Sequence, residues 1–348
     1  MSEDVWSAEG TTPDAIGTAL REMLRSRHAS NRALAPARVL NLVVVIDRAW
    51  KDEIANRLAG VGRYHASRTI LCAVEEGRSA LDALAVMSYD EPRNGLGVMH
   101  ESVEIDIGPD QIARLDTIVD PVVVSELPTM VWCPHGHTEA LRALGGIVDV
   151  ILLDSDDETD CTWAMAWAGK LLESAYVVDL AWLRSTPWRE RLAASFDMPG
   201  RLAALGELDA VTVRHRVGSR ASAMLLVGWL ASRLHWDVTS LSSMNGAGLR
   251  GAATAAGGEV EVRLESSDQD VPGLAGVTVS WGGEHSLSLD RGRGGLRARE
   301  RSGAGERAWQ ILGASRGEGG ILGEGVRQAL LRDPTYGPAL QQARNLCP

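Results

Sequence analysis

RVLNLVVVI, residues 38–46, is the stretch on which the reading of the fold turns. It is almost unbroken and rich in β-branched residues, the pattern of a strand covered on both faces in an α/β sheet. Downstream, residues 50–61 carry Trp50, Ile54 and Leu58 at helical spacing, and RTILCAV (68–74) reads as a second buried strand. Together they form a β–α–β unit, for which a right-handed crossover is expected. Upstream, residues 13–28 place Ile16, Leu20, Met23 and Leu24 on one helical face, with Pro13 and Asp14 suited to a helix start.

Farther along, residues 84–89 and VMHESVEIDI (98–107) read as an antiparallel pair, because Val103, Ile105 and Ile107 share one face of the second strand. Arg93, Asn94 and Gly95 supply a turn between them. Gly108-Pro109-Asp110 opens a short helix, and residues 130–133 and 147–153 complete the strand set around a small helix at 139–144. The expectation is a mixed α/β sandwich domain over residues 1–158, led by helix 13–28. A second, α+β domain is expected over 159–348. It begins with a junction helix at 162–176, with Trp163 and Trp167 one turn apart. Thr186 is placed as an N-cap, with Pro187 at the first helical position. A strand at 210–216 and a buried helix at 219–236 follow. Strands at 259–265, 277–281, 286–289 and 296–299 predict an antiparallel meander sheet packed on helices, with Arg291 and Arg293 in a hairpin loop. Helices close the chain within 321–344. The acidic run DSDDETD (154–160) reads as helix-capping charge, with Asp156, Asp157 and Glu158 in solvated surroundings.

At 348 residues, 45% hydrophobic and 23% charged, the chain is long enough for two globular cores. ASAMLLVGWLAS (221–232) falls short of the ~20 residues a membrane helix needs. MSEDVWSAEG, at the start, has no apolar export signal, and Cys72, Cys133, Cys161 and Cys347 form no CxxC pair. Both features suit a cytoplasmic protein without a disulfide scaffold or dithiol switch. A net charge of −11 argues against a nucleic-acid or anionic-membrane partner.

Few motifs point to chemistry. Gly246, Gly248 and Gly251 match G-x-G-x-x-G, but residues 240–244 make a poor strand and Gly257-Gly258 stops any following helix, so a loop is expected there. Cys133, His135 and His137 have none of the usual zinc spacings, even with Asp154 and Cys161 considered, so no metal is expected and no cofactor is assigned. No S-x-x-K occurs, and no catalytic residue is assigned. Trp182 and Trp188, flanked by Arg184, Arg189 and Arg191, are residue types enriched at interface hot spots. The same pattern suits core tryptophans with arginines on a solvated helix face, and both readings stay open.

Six stretches in order, ARVLNLVVVI (37–46), HASRTIL (65–71), HESVEI (100–105), ELPTMVWCP (126–134), DLAWLRSTPWRERLAASFD (179–197) and GWLASRLHW (228–236), resemble the glucose-6-phosphate dehydrogenase assembly protein (OpcA) family. The most specific piece is AW-x-R-x-TPWR at 181–189, and the likeness extends weakly over 320–340. The resemblance implies a non-catalytic bacterial partner that binds glucose-6-phosphate dehydrogenase and promotes its assembly and active state. It also implies Trp182, Arg184, Thr186, Pro187, Trp188 and Arg189 as candidate partner-binding residues. His65, Ser67 and Arg68 fall on the family's His-Pro-Ser/Cys-Arg pattern, with Ala66 in place of proline, as a candidate anion site. Cys133-Pro134-His135 departs from the family, which usually shows a second tryptophan there. The alternative is a sugar-phosphate-binding α/β enzyme with a phosphate near Arg68.

Overall fold

A computed structural model describes residues 2–30, 38–62, 67–90, 98–244, 248–313 and 317–348. The chain divides into two compact units. One is Met1–Leu153 with Ala175–Val178 and Leu322–Leu330; the other is Asp154–Ser174 with Asp179–Ile321 and Leu331–Pro348.

The first unit runs through β1 (Ser2–Ala8), α1 (Pro13–Ser30), β2 (Leu40–Asp47), α2 (Lys51–Gly62), β3 (Ser67–Val74), β4 (Asp82–Asp90) and β5 (Val98–Ile107). It continues with α3 (Leu115–Val119), β6 (Thr129–Trp132), α4 (Thr138–Ala143), β7 (Val150–Leu153) and most of β8 (Tyr176–Asp179). Its sheet has the order β1-β4-β5-β3-β2-β6-β7-β8. The run β5-β3-β2-β6-β7 is parallel throughout, while β4 and β1 add on in antiparallel fashion. Leu40 to Ile46 are all buried, as their nearly unbroken apolar run requires, and only Asp47 at the end of β2 is exposed. From β2 the chain winds first towards β3 and β5, then on the other side towards β6 and β7. A topological switch point therefore lies between the carboxyl ends of β2 and β6.

The second unit holds α5 (Cys161–Leu171), α6 (Leu180–Arg184), α7 (Thr186–Phe196), β9 (Leu208–Arg216), α8 (Arg220–Leu234), β10 (Asp237–Val238), β11 (Ser242–Ser243) and β12 (Leu249–Ala255). Then come β13 (Gly258–Ser267), β14 (Leu274–Trp281), β15 (His285–Gly292), β16 (Gly295–Ser302), β17 (Gly305–Leu312), the ends of α9 (Gly317–Leu331), whose residues 322–330 belong to the first unit, and α10 (Tyr336–Leu346). The sheet order is β10-β12-β13-β9-β14-β15-β16-β17, with β11 paired to β12. β14 to β17 form a meander; β14 to β16 are expected members, while the first expected strand, β13, pairs with β12 and β9 instead and β17 takes the far edge. The sheet as a whole is mixed, because α8 carries the chain across so that β13 lies parallel to β9. Alternate residues Val211, Val213, Val260, Val262, Leu264, Val277 and Val279 are buried in this core. α8 packs closely on α10: a Cβ added at Gly228 would stand 2.2 Å from the Ala339 carbonyl oxygen, so only glycine allows this approach.

Several boundaries differ from the sequence expectation. The junction helix stops at Leu171, and Tyr176 opens β8, whose Val177 and Val178 are β-branched and buried. The residue before α7 is Ser185, which makes no side-chain cap bond, and Thr186 lies inside the helix. β1, β10, β11, β12 and β17 are strands that the local pattern does not predict; their residues are mixed or small, and long-range pairing orders them. Gly251 sits in β12, where an added Cβ would meet Leu241 Cδ2 at 2.6 Å; Gly246 lies outside the described residues. The turn at Arg93, Asn94 and Gly95 also lies outside them.

Candidate functional site

In the segment Trp182–Arg189 the tryptophans and arginines are buried, while Thr186 and Pro187 are half-buried. Trp182 and Trp188 are each 2% exposed, and Arg184 and Arg189 are each 9% exposed. Arg184, at the end of α6, donates to both Asp154 oxygens at 2.7 and 2.6 Å and to Glu318 at 3.2 and 2.8 Å. A guanidinium forks naturally onto carboxylates in this way. Burial works against its charge, but Asp154 and Glu318 outweigh that and raise its pKa. The Arg189 guanidinium lies 3.5 Å from the Trp182 ring centroid, and its Nε donates to Ser185 Oγ at 3.0 Å and Nη2 to Thr186 Oγ1 at 2.9 Å. Burial pulls its pKa down to about 10. Trp182 Nε1 donates to Asp333 at 2.9 Å, and the ring tilts against Tyr336 at 5.7 Å. Pro187 sits in the first turn of α7. The arginines are therefore ligands of internal carboxylates and tryptophans, not a solvated face, because burying a guanidinium demands a partner for each charge.

The acidic run is also more than capping. Asp160 does cap α5, accepting from the Thr162 and Trp163 N–H groups at 2.9 and 3.1 Å. The Asp156 side chain, expected to be solvated, is buried: it accepts from Ser222 N at 3.0 Å and Ser222 Oγ at 2.6 Å. Burial, then the neighbouring Asp154 charge, push its pKa up to about 7. Asp179 accepts from Ser155 N at 3.1 Å, Ser155 Oγ at 2.6 Å, Ala181 N at 2.9 Å and Tyr336 Oη at 3.0 Å. Burial pushes it up to about 6. A cavity of about 250 Å³ opens beside this cluster, lined by Asp156, Glu158, Cys161, Gly218 and Arg220 among others. Cys161 and Cys347 lie close enough to interact, which raises the Cys161 pKa and lowers that of Cys347, whose Sγ donates to the Ala343 carbonyl at 3.5 Å. Nothing in their wide spacing along the chain signals this meeting.

In the first unit, the candidate anion site does not offer a free cation. Arg68 is 8% exposed, donates to Glu101 at 2.8 Å and to the Val122 carbonyl at 2.7 Å, and shares Glu101 with Arg38. Ser67 is buried beside Thr69, and His65 lies outside the described residues. A different cluster gathers at the switch point. The His137 ring bonds Asp47 at 2.9 Å, and the His135 ring stacks on Trp50 at 4.5 Å. Arg48 and Lys51 are committed to Asp106, Lys51 also to Glu104 at 2.9 Å. Arg57 lies over the Trp132 ring at 5.0 Å. Burial holds His135 below the usual imidazole range.

Two family models match in order, both describing a glucose-6-phosphate dehydrogenase subunit. Its N-terminal domain matches residues 59–167, and its C-terminal domain matches residues 175–340. The chain belongs to the OpcA family. An OxPP cycle protein OpcA from Synechocystis sp. is 30% identical over 141 residues, covering 39% of this chain and 30% of that protein. Its counterpart from Synechococcus elongatus is 28% identical over 216 residues, covering 60% of this chain and 47% of that protein. The chain thus spans less than half the length of these OpcA relatives. In fold, it is similar to the 3-ketoreductase KijD10 from Actinomadura kijaniata, solved with NADP and TDP-benzene. The TM-score is 0.51 at 12% identity, over 87% of this chain and 95% of that one. The turn after β2, Asp47-Arg48-Ala49-Trp50, has no glycine and opens on a carboxylate.

Proposed function

We propose that the chain is a non-catalytic partner of glucose-6-phosphate dehydrogenase, binding it and promoting its assembled, active state in the oxidative pentose phosphate pathway. The observation that carries this reading is the ordered match of the two dehydrogenase-subunit domains along residues 59–340. The site geometry supports it. Asp156 and Asp179, pushed up by burial to about 7 and about 6, are each held by hydrogen bonds from their own chain, and Arg68 is spent on Glu101. Groups so engaged suit a scaffold better than acid–base work.

A bound partner shifts an enzyme only by holding its active form more tightly. A coupling of ~1–3 kcal/mol changes the population or the substrate affinity by about 5- to 150-fold. Trp182, Arg184, Thr186, Pro187, Trp188 and Arg189 serve this function from within, bracing the surface that the dehydrogenase meets. The reading places the protein in a bacterial cytoplasm, with neither nucleic acid nor membrane as partner and no cofactor of its own. The test is the dehydrogenase rate against glucose 6-phosphate concentration, with and without this chain. A rise in rate or apparent affinity is expected. An unchanged curve, or turnover of a sugar phosphate by this chain alone, would contradict the proposal.

A further inference from the structure

The first unit has the strand order of a dinucleotide-binding sheet, yet the crevice at its switch point carries chemistry opposed to a pyrophosphate. We infer that Trp50, His135 and His137 fill this crevice as built-in substitutes for a ligand, so that it accepts neither NADP nor NAD. The inference concerns the first unit alone and does not depend on the assembly role.

Steric fit fails first. A dinucleotide pyrophosphate reaches the helix N-terminus because glycines in the first strand–helix turn let backbone and phosphate approach. Here that turn is a 3₁₀ turn, Arg48–Trp50, with a half-exposed indole in it. Charge fails next. The positive end of α2 is already met by Asp52 and Glu53 in its first turn, and Asp47 stands just before it. The turn's two cations, Arg48 and Lys51, are tied to the β5 carboxylates Asp106 and Glu104, so they cannot offset a phosphate.

The space is also in use. After β6 the loop doubles back through Gly136 and His137, both with positive φ (104° and 54°), and His137 bonds Asp47 at 2.9 Å. That bond joins the ends of β2 and β6 across the switch point. His135 lies on the Trp50 ring, with 29° between planes and 4.5 Å between centroids, much as a flat ligand would stack. One feature of a nucleotide site survives: Glu75 follows β3, where such folds hold a ribose hydroxyl. It is spent as well, pairing with Arg78 at 2.6 Å and with Arg48 at 3.8 Å.

Calorimetric titration of the whole chain with NADP+ and with NAD+ tests the inference, alongside the same titration of Trp50→Glu and the melting temperature of a Trp50→Ala/His137→Ala variant. No heat of binding up to millimolar nucleotide is expected, with a melting temperature several degrees lower in the double variant. Heat that persists unchanged in Trp50→Glu places the nucleotide outside the crevice and leaves the inference standing. Micromolar binding that vanishes in Trp50→Glu would overturn it. So would a double variant that melts like the parent, since the crevice would then hold no stabilising filling.

Discussion

The switch-point cluster of the first unit, with its His137–Asp47 pair, and the Arg184 node of the second, with its Arg184–Asp154 pair, each set a carboxylate against a nitrogen donor and differ in their access to water. In the first, the Asp47 side chain is 54% exposed and bonds His137 at the surface. In the second, the Arg184 and Asp154 side chains are 7% and 4% exposed, and every charge answers to another. An exposed pair gains little, because water competes for both partners. A buried one contributes little beyond an apolar replacement, yet removing one partner strands the other at high cost. The second cluster is therefore where substitution damages the fold, and the first is where it changes what the surface can accept.

The largest expected effect follows from that contrast. Arg184→Ala leaves Asp154 and Glu318 without their common cation, and a loss of about 3–5 kcal/mol is expected. Urea denaturation would measure it; a loss below about 1 kcal/mol would mean the node behaves like a surface pair.

A smaller effect comes from pH. Asp156 titrates near 7 in the folded chain, against an ordinary value of 3.8, and Asp179 near 6. Between those limits the folded state holds protons that the unfolded state has released, so these two groups make stability fall as pH rises. Asp156→Asn removes one of them. The variant's urea midpoint, relative to the parent's, should climb between pH 3.8 and about 7. Parallel midpoint curves for the two proteins would refute the assignment.

The smallest effect is expected in the first unit. Asp47→Ala removes the bond to His137, and because Asp47 is exposed the cost should stay at about 0.5–1 kcal/mol. A thermal melt in parallel with Arg184→Ala gives the ratio of the two losses directly. Equal losses would erase the difference in solvent access on which the comparison rests.

How far these regions are legible in the sequence follows the same physical line. Leu40–Asp47 announces its burial because a doubly covered strand must be apolar at nearly every position. The α8 helix is equally plain from its small and apolar residues. β12 and β17 are not, since Leu249–Ala255 is ordered by pairing with β13 and Gly305–Leu312 by pairing with β16. The Trp182–Arg189 segment stands out, but composition alone cannot say whether its arginines face water. The deciding partners, Asp154, Glu318 and Asp333, lie up to 151 residues away in the chain. The crevice escapes the sequence for a related reason. Cys133-Pro134-His135-Gly136-His137 looks at most like a metal motif, and only the parallel register of β6 on β2 brings His137 to Asp47. The turn after β2 without glycine is a usable signal, visible only once the strand order around it is known.

The most direct test of the central claim, that this chain works by holding another enzyme's assembled form, is light scattering on a sizing column. The sample is a mixture of this chain with glucose-6-phosphate dehydrogenase from the same cell. Co-elution is predicted, with the dehydrogenase shifted to a larger mass than it shows alone. Two separate peaks, with the dehydrogenase mass unaltered, would contradict the account.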